Sequence, residues 1–122
     1  MTTDRKKLLS GIVGPCSAGK STLVAGLEKR GVFARNIAQE HSYVKDMWQR
    51  LTNPDILIYL DVSYHVAQTR RKLNWNTGEY ETQKHRLRNA RKHADLYLQT
   101  DALSPEEVLS QVLDFLKEFS DA

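Results

Sequence analysis

Nine consecutive residues carry the strongest chemical signal in the chain. Gly14-Pro15-Cys16-Ser17-Ala18-Gly19-Lys20-Ser21, followed by Thr22, fits the spacing G-x-x-x-x-G-K-[ST] without deviation. Each residue type has a physical reason to be there. Backbone N–H groups of such a loop point inward and cradle phosphate oxygens. Gly14 and Gly19 allow backbone angles and close approach that a side chain blocks. Lys20 brings a point charge to β- and γ-phosphates, and the Ser21 hydroxyl suits Mg²⁺. Thr22, one residue into the next helix, is placed for the α-phosphate, where the helix dipole also favours negative charge. Pro15, Cys16, Ser17 and Ala18 fill the loop between the glycines and contribute backbone. Cys16 is a redox- or alkylation-sensitive position or an incidental occupant of a variable one.

A loop of this kind needs a strand before it and a helix after it. Leu8 to Val13 is a short β-type run, and Ser21 to Arg30 is helical, stopped by Gly31. Val32 to Ala38 reads as a weaker strand. Ser42 is a candidate N-cap for a helix carrying Val44, Met47, Trp48 and Leu51 at i, i+3, i+4 and i+7, ended by Thr52-Asn53-Pro54. Asp55 to Val62 holds the most apolar run, Ile56-Leu57-Ile58-Tyr59-Leu60, which suits a strand buried on both faces of a parallel sheet. Ser63 starts another helix, broken at Asn74 to Gly78. A basic helix follows from about Glu79 to His93, then a strand over Asp95 to Gln99. Ser104-Pro105-Glu106-Glu107 is a capping box opening a last helix with Val108, Leu109, Val112, Leu113, Leu116 and Phe119 on one face. Four strands alternating with helices predict an α/β fold: a mostly parallel sheet with helices on both faces.

The loop, the run Pro54-Asp55-Ile56-Leu57-Ile58-Tyr59-Leu60-Asp61-Val62-Ser63 and the ending Ala94-Asp95-Leu96-Tyr97-Leu98-Gln99-Thr100-Asp101 with Ser104-Pro105-Glu106-Glu107-Val108 together resemble small P-loop kinases of the nucleoside-monophosphate, deoxynucleoside and shikimate type. The resemblance spans most of the chain in order. It implies a three-layer P-loop NTPase fold, ATP with Mg²⁺ on residues 14–22, and phosphoryl transfer to a small hydroxyl- or phosphate-bearing metabolite. It also implies an arginine-bearing lid over about residues 70–80, with Arg70 and Arg71 near the transferring phosphoryl group. The sequence contains no N-K-x-D guanine motif and no L-S-G-G-Q signature, which sets aside Ras-type GTPases and transporter ATPases.

Phosphoryl transfer needs an acid to orient Mg²⁺ or to accept the acceptor's proton. Glu40 follows the second strand and is the first choice, because the resembled family draws its acid from an earlier strand. Asp61 ends the most apolar strand and is the second choice, with capping of the next helix as its other reading. His41 is a helper or a surface histidine. Trp75 stacks on a base or closes the lid, or is a packing anchor. The family's substrate-binding segment is reduced here to about twenty-five residues between the first helix and the apolar strand. Tyr43, Lys45, Trp48 and Arg50 are the evident pocket material there.

The chain has 122 residues, 40% hydrophobic and 27% charged, as expected of a single soluble domain over residues 1–122. No apolar run approaches the roughly 18 residues of a membrane span, no signal peptide is evident, and the single cysteine excludes a disulfide framework; the expected compartment is the cytoplasm. Charge is uneven: residues 70–93 carry +6 and residues 94–122 carry −6. The basic block is a solvated face or a phosphate attractor. Aromatic residues are too sparse within it for single-strand stacking, so nucleic acid is not the expected partner. A sheet edge left uncovered by the missing family strand would suit a homodimer. The expectation is therefore an ATP-dependent small-molecule kinase, with Lys20, Glu40, Arg70 and Arg71 in catalytic roles and Ser21, Glu40 or Asp61 at the metal. The alternative is a nucleotide-binding regulator or adaptor with little chemistry.

Overall fold

The computed structural model describes residues 8–71 and 76–121, with the side chains of residues 71, 120 and 121 outside that description. Strands β1 (Leu9–Val13), β2 (Phe33–Asn36), β3 (Ile56–Asp61) and β4 (Leu96–Gln99) form one sheet in the order β2-β1-β3-β4. Every neighbouring pair is parallel, with Leu9 opposite Phe33, Val13 opposite Tyr59 and Asp61 opposite Gln99. Helices α1 (Lys20–Glu28), α2 (Tyr64–Arg71), α3 (Thr77–Arg86), α4 (Arg88–His93) and α5 (Pro105–Asp121) complete the chain.

The apolar run of β3 explains the layering. Successive side chains of a strand point to opposite faces. Ile56, Ile58 and Leu60 join Ile12, Leu23, Leu27, Val108 and Val112 in a core beneath α1 and α5. Leu57 and Tyr59 join Val13, Ile37, Trp48, Leu87 and Ala90 on the other face, beneath α3 and α4. All six residues of β3 are buried, as a strand covered on both faces must be. Truncating Ile58 or Leu60 to alanine is expected to cost about 2–5 kcal/mol, because each lies fully buried in close-packed surroundings. The α/β class, the parallel sheet and the helices on both faces match the sequence expectation.

Several element boundaries differ from it. Asp55 and Asp95 precede their strands rather than belong to them. Asp55 accepts from the Leu9 N–H at 2.7 Å and Asp95 from the Leu57 N–H at 2.8 Å, so each carboxylate fixes the start of a neighbouring strand. The capping box is present, with the Glu107 carboxylate accepting from the Ser104 N–H and the Ser104 hydroxyl from the Glu107 N–H.

The amphipathic helix expected from Ser42 does not form. Its place is taken by a 3₁₀ turn at Gln39–His41 and a π-type turn at Trp48–Thr52, with Val44 and Leu51 exposed. The reason is Gln39, fully buried, whose side-chain amide donates to the Val44 carbonyl and accepts from the Trp48 N–H. Those bonds offer the backbone an alternative to the helical ladder. The expected basic helix over 79–93 is two helices, broken at the buried Leu87. It starts earlier than expected, where the Asn76 side chain accepts from the Glu79 N–H.

Among the described residues, no helix is long and apolar enough to cross a membrane.

Candidate functional site

The strand order sets where the loops converge. The connection leaving β1 runs to β2 at one edge, and the connection leaving β3 runs to β4 at the other edge. A crevice opens outside the carboxyl ends of two adjacent parallel strands whose connections diverge in this way, and ligands of open α/β sheets bind there. Residues 14–19 emerge at that point and lead straight into α1.

The loop's conformation depends on its glycines. Gly14 has φ 152°, and a Cβ there would lie 2.0 Å from the Leu60 carbonyl oxygen. Gly19 has φ 97° and occupies the N-cap of α1 without any side-chain cap. The first N–H groups of a helix have no intrahelical acceptors, so the start of α1 presents uncapped donors toward the crevice. Ser17 also takes a positive φ of 70°, a costly conformation for a residue with a side chain.

Lys20 lies in the middle of this arrangement, 8% exposed. Its Nζ donates to the carbonyls of Gly14 at 2.7 Å and Pro15 at 3.0 Å, and pairs with Glu40 Oε2 at 2.9 Å. Glu40, 5% exposed, stands on the 3₁₀ turn just beyond β2. The Ser21 hydroxyl accepts from Asn36 Nδ2 at 2.9 Å. Cys16, Ser17, Gly19, Lys20, Ser21, Thr22, Asn36, Ala38, Glu40 and His41 together line a cavity of about 780 Å³. Among the described residues that line it, Ser17 Oγ and Glu40 Oε1 are buried atoms without a hydrogen-bond partner. Buried polar groups are nearly always paired, so such atoms call for a ligand or water.

A second cavity, of about 290 Å³, adjoins the first through Ser17, Gly19 and Thr22. Its other walls are Ala18, Leu23, Arg70, Thr100, Leu103, Pro105 and Val108. Arg70 Nη1 donates to the Ser17 carbonyl at 3.1 Å and to the Thr100 hydroxyl at 3.0 Å, while Nη2 donates to the Thr100 carbonyl. The guanidinium thus ties α2 to both the 14–19 loop and the turn after β4.

The sequence-predicted residues therefore separate into groups. Residues 16–22 (Pro15 contributing its carbonyl), Glu40 and Arg70 converge on the two adjoining cavities. Asp61 does not join them. Its carboxylate accepts from Lys84 Nζ at 2.8 and 2.9 Å, from the Tyr97 hydroxyl at 2.6 Å and from the Val62 N–H at 2.9 Å. Asp61, the second-choice acid, is not among the residues that line either cavity, and its bonds fasten α3 and β4 to the end of β3. Residues 72–75, with Trp75, and the Arg71 side chain lie outside the described residues, and the rest of the 70–80 segment expected as a lid belongs to the end of α2 and the start of α3.

The basic block has intramolecular work. Lys84 pairs with Asp61. Arg86 donates to the Glu40 carbonyl at 3.2 Å and stacks over Tyr43, and Arg91 stacks over Tyr97. Of the expected pocket residues, Trp48 is core, its indole N–H donating to Asn89, and Arg50 pairs with Asp46 on the surface.

Sequence reasoning missed Asn36, Gln83 and Thr100. Gln83 is buried and holds Cys16 from two sides: its Oε1 accepts from the Cys16 N–H at 3.0 Å and its Nε2 donates to the sulfur at 3.3 Å. A signal for it existed, since Tyr80, Gln83, Leu87 and Ala90 recur at helical spacing and form the buried side of α3 and α4. Asn36 reaches Ser21 only because β2 pairs in the observed register with β1.

No protein-family model matches the chain, and no curated protein matches it.

Proposed function

We propose that this chain is a P-loop NTPase of the small-kinase type that binds ATP with Mg²⁺ and transfers its γ-phosphoryl group to a small hydroxyl- or phosphate-bearing metabolite. One observation carries the reading: a buried Lys20 lies between two loop carbonyls and the buried Glu40, beside the uncapped start of α1 and in a roomy cavity. A buried lysine and oriented N–H donors together are a site for a polyanion.

The residues present fit the nucleotide and its metal. Two lining residues, Ser17 and Glu40, each carry a buried oxygen without a partner. Backbone N–H groups of residues 19–22, at the start of α1, would hold the phosphates, and Lys20 would leave the Gly14 and Pro15 carbonyls for them. Ser21 and Glu40 would hold Mg²⁺, a hard cation that takes oxygen ligands and keeps several waters. The smaller cavity suits the nucleobase, between Arg70 on one side and Leu103 and Pro105 on the other. The bound metal supplies charge neutralisation on the phosphates; positioning and electrostatics by the protein do the rest. With Lys20 turned to phosphate, Glu40 would be free to serve at the metal or to accept the acceptor's proton.

The reading is tested by ADP release from ATP·Mg²⁺ with a panel of small hydroxyl and phosphate acceptors, using Lys20→Ala as the blank. Acceptor-dependent ADP release that vanishes in the variant supports it. Release unchanged in Lys20→Ala would defeat it. Tight nucleotide binding with no turnover on any acceptor would favour a regulatory or adaptor protein instead, a reading motivated by the short 37–55 segment, which builds turns rather than a separate substrate module.

A further inference from the structure

We propose that Cys16, Glu40 and His41 form a binding site for a borderline-soft divalent metal ion, Zn²⁺ above all, whose occupancy opposes nucleotide binding. Cys16 Sγ lies 3.8 Å from His41 Nε2, which lies 3.7 Å from Glu40 Oε2, and the three ligand atoms all fall within 4.8 Å of one another. Tetrahedral zinc bond lengths place sulfur and nitrogen ligands about 3.5 Å apart, so small side-chain rotations bring the three donors onto one ion. Glu40 Oε2, the carboxylate atom near His41, also pairs with Lys20 at 2.9 Å, so an ion bound there takes that oxygen in competition with the lysine.

The donor set decides which ion. A thiolate, an imidazole and one carboxylate favour zinc or cobalt over magnesium and calcium, which take oxygen. Three protein ligands leave a fourth position open. The His41 ring is 59% exposed, which gives an ion a route from solvent. Gln83 supplies the outer support that such sites use to orient their ligands, fixing the Cys16 backbone and donating to its sulfur. On binding, the Cys16 thiol gives its proton to solvent and the sulfur lone pair forms the metal bond, so affinity rises with pH. The ion would sit beside Lys20 at the cavity wall and engage the carboxylate that the proposed Mg²⁺·nucleotide requires. That opposition rests on the nucleotide reading; the metal site itself does not.

The test is titration of the full chain with Co²⁺, read by the thiolate-to-cobalt charge-transfer absorption, followed by displacement with Zn²⁺. The expected result is one ion per chain, no displacement by excess Mg²⁺, loss of the absorption in Cys16→Ser, and binding weaker by on the order of tenfold or more in His41→Ala. No absorption in the parent chain, or affinity unaltered in both variants, would overturn the site. A parallel titration with a non-hydrolysable ATP analogue separates the two claims. Weaker nucleotide binding in the presence of Zn²⁺ supports the opposition, and nucleotide affinity indifferent to bound Zn²⁺ overturns it. Metal binding by a chain that binds no nucleotide keeps the metal site and removes the nucleotide reading.

Discussion

Lys20 Nζ sits 2.9 Å from Glu40 Oε2 with both side chains almost wholly buried, which joins the first turn of α1 to the turn that follows β2. Two residues twenty positions apart are thereby held as a pair in which neither charge reaches bulk water freely. Removing one member of such a pair leaves the other charge buried and uncompensated, at a cost of about 3–5 kcal/mol. On the proposed reading the pair would also exchange partners, an incoming polyanion drawing Lys20 and freeing the carboxylate.

The two candidate acids should separate by experiment. Glu40→Gln keeps an oxygen for Lys20 but loses the charge; nucleotide binding should survive while ADP production falls by about 100-fold or more. Asp61→Asn should do the reverse. It weakens the bonds to Lys84 and Tyr97, lowers stability by about 1–3 kcal/mol and leaves nucleotide binding intact. Steady-state kinetics and urea denaturation of both variants check this.

Substitutions at the two loop glycines should differ in severity. A Cβ at Gly14 meets the Leu60 carbonyl at 2.0 Å, in the backbone next to the end of β3. Neither side can yield cheaply, and Gly14→Ala should destabilise by about 3 kcal/mol. A Cβ at Gly19 meets nothing within 4 Å, so Gly19→Ala carries only the strain of its positive φ, about 1–2 kcal/mol. Thermal unfolding of the two variants gives the order.

Arg70 is an exposed residue, yet its guanidinium makes forked bonds to Ser17 and Thr100. A lysine ammonium cannot reproduce that fork. Arg70→Lys should cost about 1 kcal/mol of stability and weaken nucleotide binding roughly tenfold, with the helix content unchanged. Calorimetric titration beside circular dichroism measures both.

Three tyrosines predict alkaline instability. Burial, helped by the Asp61, Glu81 and Asp101 charges, pushes the Tyr80 hydroxyl from 10.0 up to about 12. Burial and then the Asp61 charge raise Tyr59; burial and the hydrogen bond to Asp61 raise Tyr97. The folded chain therefore holds these protons where the unfolded chain has lost them. The stability Tyr80 contributes is complete below pH 10 and falls as pH rises through about 12, and Tyr59 and Tyr97 act in the same direction. Tyr80→Phe, which also loses the 2.8 Å bond to the Val62 carbonyl, should show a shallower fall. Denaturation midpoints across that range, in both proteins, are the measurement.

What the sequence made legible follows from how local each cause is. The 14–22 loop, β3 and the Ser104–Glu107 cap depend on neighbours in the chain, and each is found where their residue types put them. The segment over 42–51 misleads because its fate is set by Gln39 and by Asn89, forty-one positions beyond Trp48. Helical spacing at Val44, Met47, Trp48 and Leu51 cannot register a buried amide that competes for the same backbone groups. The choice between Glu40 and Asp61 is likewise open in the sequence, since one follows a strand and the other ends one. Their places separate them: Glu40 lines the larger cavity beside Lys20, whereas Asp61 is bound by Lys84 and Tyr97 across α3 and β4. Gln83 is hard to read for the opposite reason: it stands among the cations of α3 and α4, and only the spacing of Tyr80, Leu87 and Ala90 marks the buried face that the same helices carry.

The central claim, that a nucleotide's phosphates draw Lys20 away from Glu40, is tested most directly by calorimetric titration of a non-hydrolysable ATP analogue with Mg²⁺ into the parent chain and into Lys20→Ala. The account predicts one saturable site in the parent and loss of that binding in a variant that remains folded. A parent chain that binds no nucleotide, or a folded variant that binds as tightly as the parent, would contradict it.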